Sequence, residues 1–106
     1  MAKYLYSGSY SVEGTKGLLK EGGTGRRAAV EKLVHGMGGK LETFYYTLGS
    51  DDAILIIDLP DNVSAAAVSL AVAASGAFRG KTTVLLTPEE IDQASKHRVE
   101  YRPPCG

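Results

Sequence analysis

Residues 53–59 read Ala53-Ile54-Leu55-Ile56-Ile57-Asp58-Leu59. Aliphatic side chains occupy both parities of this run until Asp58, and a strand without alternation is usually buried on both faces. Ile54 and Ile56 project one way, Leu55 and Ile57 the other. Pro60-Asp61-Asn62 ends the run, and Asp61 or Asn62 can cap a following helix. Upstream, Gly49-Ser50-Asp51-Asp52 is turn chemistry. It separates the run from a second strand pattern, Leu41 to Leu48, so the two form an antiparallel hairpin.

Working outward, Lys3 to Ser9 alternates with period two and reads as a first strand. Tyr4, Tyr6 and Gly8 share one parity, and Leu5, Ser7 and Ser9 the other. Ser11 can cap a short helix holding Val12, Leu18 and Leu19, which Gly14 and Gly17 weaken by about 1 kcal/mol each relative to alanine. After Glu21-Gly22-Gly23, Thr24 can cap a second helix whose Val30, Leu33, Val34 and Met37 make one apolar stripe. Gly36, Gly38 and Gly39 stop it. Beyond the hairpin, an alanine-rich helix spans Val63 to Ser75 and Gly76 suits its C-terminus. Arg79 to Leu86 is a fourth strand. Thr87-Pro88-Glu89-Glu90 is a capping box with proline at the first helical position, opening a short helix to His97.

The order β-α-β-β-α-β with an appended helix is the ferredoxin-like pattern, an α+β fold. Right-handed crossovers put the main helices on one face of a four-stranded antiparallel sheet. Residues 1–98 make one domain, and 99–106 an extended tail containing Pro103-Pro104. The second sheet face is then left open, although the third strand is apolar on both sides. Each large aliphatic side chain left in water forgoes about 1.5–3 kcal/mol. The expected remedy is a homo-oligomer, most simply a C2 dimer in which two sheets face one another. The alanine-rich helix raises the same issue. Val63, Ala66, Ala67, Leu70 and Ala74 form one stripe, with Val68 and Val72 off it. That second stripe calls for cover by the C-terminal helix or by another subunit.

Several motifs together resemble the GYD-domain family of small bacterial proteins. They are Lys3-Tyr4-Leu5 with Gly8-Ser9-Tyr10, Gly17-Leu18-Leu19-Lys20-Glu21-Gly22-Gly23 and Arg26-Arg27-Ala28-Ala29-Val30-Glu31. Further along come Gly38-Gly39-Lys40-Leu41-Glu42, Phe44-Tyr45-Tyr46, Leu59-Pro60-Asp61-Asn62 and Leu86-Thr87-Pro88-Glu89-Glu90-Ile91-Asp92. The resemblance implies a ferredoxin-like fold akin to the dimeric α+β barrels, where two sheets close into one barrel. Gly49 and Asp52 fit the motif that names the family, and Asp51 stands where that motif has tyrosine. The resemblance implies no particular reaction.

Composition excludes several functions. Twelve basic residues balance twelve acidic ones, so no overall electrostatic footprint for nucleic acid or an anionic membrane exists. No apolar run reaches the roughly 20 residues of a membrane span. The single cysteine, Cys105, suits a reducing compartment, and a cytoplasmic protein is expected. His35 and His97 have no partners at metal-ligand spacing, so no metal or other cofactor is expected. Thr24, Gly25, Arg26 and Arg27 precede or open a helix, where free N–H groups and two guanidiniums can hold an anion. Tyr6, Tyr46 and Asp58 are candidate pocket residues, because aromatic strands in such a barrel can frame a flat ligand. Asp58 would look to Lys81 or Arg79 for a counter-charge. The combined expectation is a homo-oligomeric, non-catalytic module that binds a small anionic or aromatic ligand or a partner. Two alternatives stay open. One is a small cofactor-independent enzyme of monooxygenase or isomerase type, working in a cavity between sheet and helices. The other is anion or nucleotide binding at the glycine-rich joint before the second helix.

Overall fold

The protein, here a computed structural model, is described for residues 1–105; Gly106, the end of the expected tail, lies outside the described residues. The chain runs β1 (Ala2–Tyr10), α1 (Val12–Glu21), α2 (Gly23–Gly36), β2 (Lys40–Tyr46), β3 (Ala53–Leu59), α3 (Asn62–Ser75), β4 (Phe78–Leu85) and α4 (Pro88–Ser95). The sheet order is β2-β3-β1-β4 and every pair is antiparallel. This is the ferredoxin-like α+β arrangement.

Local chemistry sets most boundaries. The Ser11 side chain accepts from the Gly14 N–H at the start of α1. Asp61 accepts from the Ser64 N–H at 2.8 Å and caps α3. Thr87 and Glu90 form the reciprocal capping box of α4. The junction of α1 and α2 differs from the expectation that Thr24 caps the second helix. Gly22, at φ 80°, is both the C-cap of α1 and the N-cap of α2. Its N–H donates to the Leu18 carbonyl, and its carbonyl accepts from the Arg26 N–H. One glycine in a conformation that L side chains avoid thus replaces a whole loop. Thr24 falls inside the first turn of α2.

β3 alternates as its parity requires. Ala53, Leu55, Ile57 and Leu59 are buried under the helices, and Ile54, Ile56 and Asp58 are half-buried on the other side. Tyr4 and Tyr6 join the helix side, with the Tyr4 hydroxyl donating to Asn62 Oδ1 at 2.7 Å. The far side carries no helix. Its rows follow from strand register: Thr43, Ile56, Leu5 and Thr83 lie side by side, and Tyr45, Ile54, Ser7 and Lys81 form the next row.

α3 is seated differently from the sequence expectation. Ala65, Val68 and Val72 pack on the sheet. The stripe expected to face the core points outward instead, with Val63 78% and Leu70 71% exposed. A helix with no charged residue offers nothing to orient it, and the branched valines fill the space over the core better than the alanines. α4 does not cover the outer stripe. Every described residue from Pro88 onward is exposed. The radius of gyration is 17.0 Å, against about 13 Å for a compact chain of this length. The C-terminal segment therefore stands away from the body.

Candidate functional site

α2 and α3 rest on the sheet through short side chains and leave a cavity of about 110 Å³ between them. Tyr6, Leu55 and Ile57 form its floor. Val30 and Val34 of α2 face Val68 and Val72 of α3 across it. Phe44 and Phe78 close the sides, one from each outer strand. An apolar cavity of about 150 Å³ in another protein stays dry and binds benzene, so this volume suits a single ring. It is far below the roughly 300–1,000 Å³ of a cofactor-sized site.

Tyr10 and Arg26 stand at the mouth, where the cavity meets a wider surface cleft to which α1 contributes Gly14, Gly17 and Leu18. The Tyr10 ring meets Phe78 edge-on, centroids 4.9 Å apart. Its phenol is pushed up to about 12, by burial first and by the neighbouring Tyr46 phenol second, while the Arg26 guanidinium pulls the other way. Burial also raises the Tyr6 phenol. Both hydroxyls therefore stay protonated, and able to donate, through neutral pH. Tyr46 donates to the Gly23 carbonyl at 3.0 Å, which ties the rim of β2 to the start of α2. Arg26 lies 3.3 Å from Glu21.

Of the expected pocket residues, Tyr6 lies in the cavity floor, while Tyr46 is outside the lining, its ring tilted against that of Phe44 with centroids 5.0 Å apart. Asp58 is on the opposite sheet face. Its counter-charge is Lys3 at 2.8 Å, not Lys81 or Arg79. The strand order explains this: β1 lies between β3 and β4, so Lys3 sits directly opposite Asp58 while Arg79 and Lys81 face Ser9 and Ser7. Lys3 also pairs with Glu42. Asp58 first and Glu42 second raise the Lys3 amine above its usual value.

The expected anion-binding residues do not converge. Thr24 and Gly25 are exposed in the first turn of α2, Arg26 turns to the cavity mouth, and Arg27 pairs with Glu31 at 3.7 Å. His35, His97 and Cys105 are all exposed. Tyr10 was absent from the expected site, although its parity with Tyr4 and Tyr6 could have revealed it. The Asp52 carboxylate accepts from the Tyr10 N–H at 3.0 Å, and the Asp52 N–H donates to the Gly8 carbonyl at 2.8 Å. The end of the hairpin is thereby pinned to β1 beside the cavity mouth.

A family model for the GYD domain matches residues 4–95, from β1 to the end of α4. The chain belongs to the GYD domain family. No curated protein and no solved structure matches it. In this GYD domain, Gly49 has open space around its Cα and Asp52 holds Tyr10 in place. Asp51, at the position where the motif has tyrosine, accepts through its carbonyl from the Thr47 hydroxyl at 2.6 Å. Its contribution to the hairpin is thus made by the backbone. No helix among the described residues is long and apolar enough to cross a membrane.

Proposed function

We propose that this GYD domain is a homodimeric binding module that takes a small ring-sized molecule between its helices and its sheet. The observation that carries the reading is the apolar cavity over Tyr6 and Leu55, with Tyr10 and Arg26 as the polar side chains nearest its outer cleft. Unfilled space of this kind costs a folded chain stability, so a ligand that occupies it gains dispersion contacts without first displacing ordered water. The dimer is supported by Leu5, Ile54 and Ile56, aliphatic side chains at the centre of the uncovered sheet face with Thr43 and Thr83 flanking them. A second copy placed on this face by a two-fold axis would bury both sets at once.

An enzyme working in the same cavity is the second reading, and Tyr6 on the floor is the residue that favours it. General acid–base catalysis works best with groups whose pKa lies near the operating pH. The phenol at the mouth, pushed up to about 12, is displaced away from that range. Its chemistry supports holding a ligand by hydrogen bonds.

The test is titration of the full chain with toluene, followed by the methyl resonances of Val30, Val68, Val72 and Leu55. The expected result is saturable shifts confined to these methyls, lost in a Val68→Phe variant that fills the space and keeps its fold. Methyl resonances that do not move at saturating toluene would overturn the reading.

A further inference from the structure

The mouth of the cavity is chemically unlike its interior. Arg26 is the one cationic side chain in the lining, and it reaches both the cavity and the cleft outside it. Its planar guanidinium has five N–H donors, more than Glu21 at 3.3 Å can satisfy. Tyr10 also lines both spaces, so a phenol and a guanidinium share the passage between cavity and cleft. Behind them the space is apolar and framed by the rings of Tyr6, Phe44 and Phe78.

We propose that the ligand of this site is a one-ring aromatic carboxylate, its ring in the cavity and its carboxylate at the mouth against Arg26 and the Tyr10 hydroxyl. This rests on the binding reading given above and names its ligand class. Guanidinium and carboxylate match as a two-point fork, which fixes the ligand's orientation as well as its charge. The volume, about 110 Å³, admits one ring and excludes a nucleotide base carrying its sugar. The surroundings also limit the charge. Glu13 and Glu21 both line the outer cleft and repel a second negative group, which favours a monocarboxylate over a phosphate or a dicarboxylate. Glu21 further competes with the ligand for Arg26.

The experiment compares benzoate and toluene as probes at neutral pH, by calorimetry and by the same methyl resonances. Benzoate is expected to bind at least tenfold more tightly than toluene, in line with a hydrogen bond to a charged group. In Arg26→Gln the benzoate-over-toluene preference falls by about tenfold, and Arg26→Lys, which keeps the charge but loses the fork, lies between. Glu21→Gln, which frees the guanidinium, tightens benzoate several-fold. Toluene binding with no preference for benzoate would overturn the carboxylate assignment and leave the cavity reading standing. Failure of both probes would overturn the cavity reading and this proposal together. Equal preference in wild type and Arg26→Gln would remove Arg26 from the site.

Discussion

Leu55→Ala probes how well the cavity is enclosed. Leu55 is 6% exposed, sits on the central strand β3 and lies directly between Tyr6 of β1 and Phe44 of β2. Truncating it removes buried methyl groups and enlarges a space that already measures about 110 Å³. Buried leucine-to-alanine changes cost about 2.7–5.0 kcal/mol, rising by roughly 24 cal/mol for each Å³ left unfilled. On that slope the existing space alone corresponds to about 2.6 kcal/mol. Neighbouring side chains have not closed it, so the added void persists, and the loss belongs in the upper half of the range, about 4 kcal/mol. That is a large fraction of the roughly 5–15 kcal/mol that holds a domain together. With a urea slope of about 2 kcal/mol/M, the midpoint falls by about 2 M. Protein concentration must be held fixed, because a dimer's midpoint depends on it. Toluene at a hundred times its dissociation constant should return about 2.7 kcal/mol. A loss under about 1 kcal/mol, unaffected by toluene, would refute the reasoning, since it would mean that the helix side of β3 is not enclosed.

Other outcomes follow from the same structure. A Cβ on Gly39 would lie 2.1 Å from the Asp58 carbonyl oxygen, so Gly39→Ala must push β2 from β3 and should cost more than about 2 kcal/mol by urea denaturation. Gly17, inside α1 with open space around it, should behave oppositely: Gly17→Ala gains about 0.5–1 kcal/mol in the same assay. Tyr10, its folded pKa raised to about 12, favours the folded state while the phenol is neutral. That contribution is whole below the unfolded value near 10 and is lost as pH climbs from about 10 to about 12, and Tyr10→Phe removes this part of the alkaline unfolding curve. Asp61 has the opposite sign. The Ser64 N–H lowers its carboxyl below 3.8, so its contribution is present above that pH and fades as acid takes it below. Thermal melts of Asp61→Asn across that range should lack the component.

What could be read in advance was what short-range chemistry decides. The β3 run, the capping of α1, α3 and α4, and the hairpin at residues 49–52 depend on residues near one another in sequence, and a parity or a cap states its own role. The seating of α3 was not legible, because beyond Asn62 it holds only alanine, valine, leucine and serine and presents no charged face. Which stripe meets the sheet is decided by the shape of the surface beneath it. Asp58 illustrates the same boundary at the level of side chains. Its partner Lys3 is 55 residues away, and only strand order places the two in register. The cavity is less legible still, because it arises from the spacing between α2 and α3, and no single residue encodes that distance. Arg26 and Arg27 look equivalent as neighbours in sequence. The helix turn sends one to the cavity and the other to Glu31.

The account depends most on the uncovered sheet face carrying Leu5, Ile54 and Ile56. Sedimentation equilibrium of the full chain measures its occupant directly. The predicted result is a species of twice the 11.2 kDa chain mass, and its conversion by Ile56→Lys into a folded single chain. A wild-type chain that stays at 11.2 kDa up to sub-millimolar concentration would contradict it.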